Sequence, residues 1–368
     1  MREAYQRRAC HQRQIFAREK EGIGARRYLD IGRHTEEGKM NKGIYWGYMG
    51  AGRIAGWFAT AMTVLEDAKR YAIASRTLEK GEKFAKEYGF EKAYGSYDEM
   101  LKDPRVDIVY VATPVAEHYS CVKKCLEAGK HVLCEKALTV NAVQASELIE
   151  LAREKNLFFM EAAWTKCQPV FLKVKEWVDS GLIGEVQGMD VCFYTMTGEG
   201  HRLYKHELAG GALLDLGFYP VMYACAMMGH EPKNIISHTI MGEGRVDYLD
   251  SVVLEYEGGK FAHLSCGLGP EKKVSAYILG TKGRILLDNE FFFQATKATA
   301  YDFDKNVLAE FEEPFLKNGY EYEAIEAMEC LRAGLKESPK VPLKDTLAIL
   351  KILDTCRENA GFKYDFEA

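Results

Sequence analysis

Apolar positions in the first half of the chain form short unbroken runs at Ile44–Met49, Tyr71–Ser75, Ile108–Thr113, His131–Cys134 and Phe158–Met160, with helical spacing between them. Short apolar runs without polar alternation suit strands buried on both faces, and the segments between them suit crossover helices such as Thr77–Tyr88. Strand and helix alternating in this way imply right-handed crossovers and a doubly wound parallel sheet. After Ala162 the texture changes to longer strands, expected at Val186–Thr195, Ile235–Met241, Ser251–Tyr256, Phe261–Cys266 and Val274–Leu279. Gly258-Gly259 reads as a two-residue hairpin turn, so antiparallel pairing follows, with helices on one face. Helical spacing returns at Tyr322–Lys336 and Leu343–Ala360, and no internal repeat is evident. The expected architecture is α/β. A doubly wound parallel sheet spans 40–162, and an α+β domain with a large, mostly antiparallel open sheet spans 163–368.

The 368 residues suffice for about two domains with cores of their own. A hydrophobic content of 47% and a charged content of 28% are ordinary for a soluble globular protein. A net charge of -5 leaves no basic excess to hold a nucleic-acid backbone, so a small-molecule partner is expected instead. No apolar run reads as long enough to span a bilayer and the N-terminus is too charged for a signal-peptide core, which points to the cytoplasm. The ten cysteines are scattered without zinc-ligand spacing, so no metal is expected. Cys125, Cys192 and Cys225 lie in apolar stretches that read as buried. Cys121 and Cys125 share a helix face as a structural pair rather than a redox pair.

Residues 1–39 are rich in Arg and Gln and lack a core face, so they read as a non-native or disordered extension. Their acidic residues argue against a transit peptide. Glu36-Glu37-Gly38-Lys39 before Met40 is what a translated purine-rich ribosome-binding site would spell, so synthesis is expected to begin at Met40.

The first apolar strand runs into Gly50-Ala51-Gly52-Arg53-Ile54-Ala55, the pattern that opens a Rossmann dinucleotide site. Gly50 serves the tight turn, Gly52 the close approach of a pyrophosphate, and Ala55 the close packing of a helix whose N-terminal amides face the anion. About 20 residues past this fingerprint, where an acid would bind the free ribose hydroxyl of NAD, the chain carries Ser75-Arg76. A hydroxyl and a guanidinium suit the extra phosphate of NADP, which is therefore expected over NAD. The alternative is that Arg76 is a solvated residue opening the next helix. Thr113-Pro114 ends one strand, either beside the cofactor or as a simple strand stop; His118, Glu135 and Lys136 complete the expected cofactor contacts.

Glu135-Lys136 ends the next strand, at the sheet edge where ligands bind. Further on, Ala209-Gly210-Gly211-Ala212-Leu213-Leu214-Asp215-Leu216-Gly217-Phe218-Tyr219-Pro220 reads as a glycine-opened helix with Asp215 and Tyr219 on one face. Hydride transfer from a carbinol needs a group that handles the hydroxyl proton. A lysine cation about 4 Å from a phenol, at an effective dielectric near 20, is worth roughly 4 kcal/mol, enough to bring its pKa from about 10 towards 7; desolvation of the phenol works against this, so the cation must be close. The expected catalytic set is therefore Lys136, Tyr219 and Asp215, with Asp215 orienting the substrate hydroxyl or Lys136. The alternative is a capping acid and a core aromatic.

These motifs, Gly-Ala-Gly-Arg-Ile-Ala, Glu135-Lys136 and Gly-Gly-Ala-Leu-Leu-Asp-Leu-Gly-Phe-Tyr, resemble the glucose-fructose oxidoreductase/inositol dehydrogenase/MocA family over about Lys42–Phe362. Tyr219 and Glu161-Ala162-Ala163-Trp164-Thr165-Lys166 are most similar to its branch of dimeric trans-1,2-dihydrobenzene-1,2-diol dehydrogenases and D-xylose dehydrogenases. The resemblance implies NADP, Lys136 and Tyr219 as the proton-handling pair, and a pocket lined by Trp164, Phe193 and Leu216. It also implies a homodimer or larger homo-oligomer formed through the C-terminal sheet. Ala137 replaces the family's proline after Lys136, and Lys166-Cys167-Gln168 departs from the branch, which puts the substrate preference in question. Trp164 and Phe193 have a core alternative, and Phe291–Phe293 reads as a half-buried strand. The expected activity is hydride transfer between NADP and a CH–OH group of a sugar or cyclic vicinal diol. The rivals are glycoside cleavage by a resident nicotinamide cofactor and a non-enzymatic NADP sensor.

Overall fold

The computed structural model describes residues 43–198, 200–269, 274–287 and 292–367. The expected extension 1–39, the start at Met40 and Phe291 lie outside the described residues.

Six parallel strands form the first sheet: β1 (Ile44–Met49), β2 (Ala68–Ala74), β3 (Lys92–Tyr94), β4 (Ile108–Val111), β5 (His131–Glu135) and β6 (Phe159–Ala162), in the order β3-β2-β1-β4-β5-β6. Helices α1 (Arg53–Ala61), α2 (Leu78–Tyr88), α3 (Tyr97–Leu101), α4 (Val115–Glu127) and α5 (Ala142–Glu154) make the crossovers. The sheet reads outward from β1 to β3 and then restarts at β4 on the other side, so the crevice opens beyond the ends of β1 and β4. All four residues of β4 are buried, as a strand covered on both faces requires. Phe58 stacks on Tyr110 at 4.0 Å, and Tyr48 meets Tyr110 edge-on, so an aromatic cluster underlies β1 and β4. Such pairs add about 0.5–1.5 kcal/mol each beyond the area they bury. The three-residue edge strand β3 was not expected, being too short to show a pattern. The polar start of β2, at Lys69 and Arg70, hid three of its residues.

The second sheet has eight strands: β7 (Val186–Tyr194), β8 (Asn234–Met241), β9 (Asp247–Glu255), β10 (Phe261–Gly267), β11 (Ser275–Gly280), β12 (Arg284–Leu287), β13 (Lys297–Tyr301) and β14 (Val307–Glu312). Their order is β14-β13-β12-β11-β7-β10-β9-β8, antiparallel except where β7 and β10 run parallel. β12 to β14 escaped the sequence reading. One face of the sheet is covered by helices and the other is open, so buried and exposed residues alternate along β10 and β11. Helices α6 (Pro169–Asp179), α7 (Phe218–Met228), α8 (Glu321–Arg332) and α9 (Leu343–Asn359) complete the fold, and α9 packs on both α5 and α7. The α/β architecture with two sheets is as expected.

Three expectations are corrected. The hairpin between β9 and β10 is closed by Glu257–Gly259, three residues rather than two, with both glycines at positive φ and Tyr256 N–H bonded to Lys260 O. His206–Met228 is long and apolar enough to cross a membrane, contrary to the sequence reading, but 83% of its most apolar window is buried inside the protein, as a core element would be. Cys192 is half-buried, because it sits on an alternating strand. Cys121 and Cys125 are buried free thiols, in keeping with a structural rather than a redox role, the first against Thr113 and the second against Met49.

Candidate active site

The chain leaves β1 through Gly50, whose φ of +99° and a Cβ position only 2.8 Å from Ala112 O admit no other residue without strain. Gly52 caps α1 with no side-chain bond to the first-turn amides, and nothing lies within 4 Å of where its Cβ would be. Open space above unsatisfied amides at the switch point of a parallel sheet fits a dinucleotide pyrophosphate. Ala55 is fully buried, so α1 packs tightly, while Arg53 is exposed and lies over Trp57 at 5.4 Å. Ala51 and Ile54 are half-buried beside them. Ser75 is buried at the end of β2. The Arg76 side chain is 79% exposed, with a 3.9 Å contact to Glu117.

Lys136 follows β5 directly, and its peptide bond to Ala137 is cis. Its ammonium bonds Asp215 twice, to Oδ1 at 2.9 Å and to the backbone carbonyl at 2.8 Å, and lies 4.9 Å from the centre of the Tyr219 ring. The segment carrying Asp215 is not an ordinary α-helix: Leu213–Gly217 is a π turn running into α7. In that wider register the donor due to the Asp215 carbonyl would be residue 220, which is a proline with no N–H. Lys136 supplies the missing donor. Asp215 thus joins the two sheets through Lys136, and Tyr219, four residues on, meets the same cation.

The sequence reading missed Arg202, on the turn Arg202–Tyr204, which bonds Asp215 Oδ1 at 2.9 Å. Burial alone would raise the Asp215 carboxyl, but the Arg202 guanidinium and Lys136 ammonium hold it well below the usual carboxylate range. Burial likewise opposes the Lys136 ammonium, and Asp215 and Tyr219 outweigh it.

Tyr219 departs from expectation. Burial pushes its phenol up to about 12, against the Lys136 cation and the hydrogen bond donated by Trp164 Nε1 at 3.0 Å. The lysine charge does lower the phenol, but burial outweighs it, and the Glu135 and Asp215 carboxylates add to the rise. At neutral pH Tyr219 therefore holds its proton.

Trp164, expected as pocket lining, is a direct partner of the Tyr219 hydroxyl and is stacked on Tyr320 at 4.1 Å. Phe193 lies 5.7 Å from Tyr219 and 4.5 Å from Phe293. Phe293, expected in a half-buried strand, follows Phe292 in a short 3-10 turn and stands 4.9 Å from Tyr219. Phe193, Phe293 and Trp164 therefore wall the phenol, with Tyr320 stacked behind Trp164, from four separate segments that no local pattern connects. Leu216 is buried in the π turn. Lys166 is buried and paired with Asp345, so this departure from the branch faces the core.

Two supports complete the site. Glu135 accepts from Tyr110, tying the aromatic cluster to the strand end that carries Lys136. His118, expected as a cofactor contact, stands between Thr113 O at 2.9 Å and Ala137 O at 3.0 Å. Burial lowers its pKa to about 4, so the neutral ring donates to one of those carbonyls and braces the loop after Lys136. Thr113 lends its carbonyl to this brace, and Pro114 caps α4.

A protonated phenol beside a dinucleotide crevice serves hydride chemistry, and the class that fold and site define is the Rossmann-fold oxidoreductase. Residues 44–163 match the family described as an oxidoreductase family with an NAD-binding Rossmann fold, and residues 171–286 match the GFO/IDH/MocA C-terminal domain. The chain is 37% identical over 331 residues to trans-1,2-dihydrobenzene-1,2-diol dehydrogenase of Xenopus laevis, covering 87% of this chain and 98% of that one. Identity to the Mus musculus enzyme of the same name is 35% over 332 residues, with the same coverage. Among solved structures, a 3-ketoreductase from Actinomadura kijaniata in complex with NADP and TDP-benzene superposes with a TM-score of 0.77 at 26% identity, covering 86% of this chain and 97% of that one. The chain belongs to the Gfo/Idh/MocA oxidoreductase family.

Proposed function

We propose that this protein is an NADP-dependent dehydrogenase/reductase that moves a hydride between the nicotinamide and a CH–OH carbon of a cyclic vicinal diol or a sugar. The observation that carries the reading is the convergence of Lys136, Asp215 and Tyr219 at the end of β5. Bound NADP supplies or accepts the hydride, and Gly50, Gly52 and the α1 amides hold its pyrophosphate. Ser75 and Arg76 take the 2′-phosphate, since no acid stands there to favour NAD. Tyr219 passes its proton to the substrate oxygen as the hydride arrives in reduction and is reprotonated from solvent; in oxidation the hydroxyl proton goes to its phenolate form, which burial makes scarce at neutral pH. Lys136 supports the charge that develops on that oxygen, and Asp215 with Arg202 fixes Lys136. The relatives named for a dihydrobenzenediol and the aromatic surround of Tyr219 favour a flat cyclic diol over an open sugar.

In this reading residues 40–162 form the dinucleotide-binding domain and 163–368 the domain for substrate and subunit pairing. Exposed Ile236, Ile240, Phe261 and Leu279 lie on the open face of the second sheet, an apolar surface suited to a second copy of the chain. The apolar helical stretch is buried in the core, in keeping with a cytoplasmic enzyme.

A panel of cyclic vicinal diols and aldoses, assayed by reduced-cofactor absorbance with NADP and NAD in parallel, tests the proposal. The expected result is turnover of a cyclic diol with NADP favoured at least tenfold. Absence of turnover on the whole panel, or a preference for NAD, would overturn it.

A further inference from the structure

We infer that Asp247 and Asp250 are positioning residues: a hydrogen-bonded carboxyl pair beneath the π turn that sets where Asp215 and Tyr219 stand. The inference rests on the functional reading of those two residues.

Three positions apart on a regular strand, the two side chains would face opposite ways. The register jumps, however, from Ile240↔Leu249 to Met241↔Asp247, leaving Tyr248 as an extra residue. That bulge reverses the alternation, and both aspartates turn inward with 1% exposure each. Asp247 accepts the Leu213 N–H at 2.5 Å, the first residue of the π turn. Gly211, at φ +123°, makes room for it, since a Cβ there would fall 2.0 Å from the carboxylate. Asp250 hydrogen-bonds Asp247, accepts the Thr239 hydroxyl at 2.7 Å and accepts the Cys266 thiol at 3.7 Å. Capping the turn takes one carboxylate; the second has no place in the Lys136–Asp215–Tyr219 chemistry.

With one proton between them, the pair keeps a single charge for the turn's amide, where the helix dipole favours it. Losing that proton puts two buried like charges side by side. The other titratable groups facing the pair are the thiols of Cys266 and Cys356 and the phenol of Tyr364, none of which supplies a compensating positive charge. Arg357 lies across the Tyr364 ring at 5.4 Å and is bound to Glu367. Burial and the neighbouring Asp247 push Asp250 up to about 8. Above that pH the turn is expected to loosen.

The test follows hydrogen exchange of the backbone amides of residues 211–218 from pH 6 to 9.5, corrected for intrinsic rates, in the full-length protein and in Asp250→Asn. The amide of Asp250→Asn donates to Asp247 at every pH. The parent should lose protection at least fivefold through about pH 8, and Asp250→Asn should not. In Asp247→Ala, which leaves the Leu213 N–H without its acceptor, kcat for trans-1,2-cyclohexanediol should fall at least tenfold while the NADPH dissociation constant, read by fluorescence, stays within twofold. Exchange that is flat in the parent, or that rises equally in Asp250→Asn, would overturn the inference. So would an unchanged kcat in Asp247→Ala. If the parent turns over no substrate, the functional reading fails while the exchange comparison still decides the pair's role. If Asp247→Ala does not fold, Asp250→Asn decides alone.

Discussion

Replacing Asp215 by Asn isolates one of the two carboxylates, Glu135 and Asp215, that raise the Tyr219 phenol against Lys136. In the native site the Lys136 ammonium is bound to Asp215 and faces the Tyr219 ring at 4.9 Å. An asparagine keeps an oxygen for Lys136 and Arg202 but removes the negative charge. Lys136 already lowers the phenol, so the substitution removes only what Asp215 adds; a unit charge about 5 Å away, with an effective dielectric near 20, is worth about 3 kcal/mol, a little over two pH units, which is the upper bound. The phenol, held at about 12 by burial, should then titrate lower, between about pH 10 and 12. Phenolate absorbance in the near ultraviolet measures this, with Asp215→Asn read against Asp215→Asn/Tyr219→Phe and the parent read against Tyr219→Phe, so that the other tyrosines cancel. The Tyr219 phenolate should appear at lower pH in Asp215→Asn than in the parent. A Tyr219 midpoint unchanged or raised in Asp215→Asn would refute the reasoning that the Asp215 charge helps to hold the phenol up.

Gly52→Val places its side chain in open space, so the melting temperature should hold while NADPH binding, measured by fluorescence titration, is lost. Arg76→Ala should raise the KM for NADP by about tenfold and leave that for NAD near its starting value, as loss of one charge-assisted phosphate contact requires. Glu161 accepts from Leu138 N–H and the Thr346 hydroxyl, and burial raises its pKa to about 7. The folded state therefore holds a proton that the unfolded chain releases near pH 4.5, so this residue's contribution falls as pH rises between those values, by about 3 kcal/mol in all. Glu161→Gln should flatten that decline in denaturant titrations run from pH 5 to 8.

The parts of the site that were legible in the sequence are those fixed by local chain geometry. Gly50 and Gly52 sit where a strand must turn into a helix, and Lys136 stands at a strand end, so spacing alone placed both at the sheet edge. Asp215 and Tyr219 were paired by their separation, although the segment is a π turn leading into α7, a register that helical spacing cannot show. Arg202, Tyr320 and Phe293 were not legible, because each reaches the site from a segment without periodicity through contacts remote in sequence. The balance at Tyr219 was misjudged for the same reason: burial and the lysine act in opposite directions, and which one wins depends on how much protein covers the phenol. His118 stands at the expected sheet edge, and the backbone carbonyls that both its ring nitrogens face were not legible, because Ala137 reaches it from a loop 19 residues on.

The most direct measurement is the turnover of Tyr219→Phe on the substrate found in the diol and aldose panel, alongside its NADPH dissociation constant. Loss of the proton-handling hydroxyl should lower kcat by about 10²–10⁴-fold with NADPH affinity unchanged. Turnover within threefold of the parent would contradict the assignment of Tyr219 as the group that carries the substrate's proton.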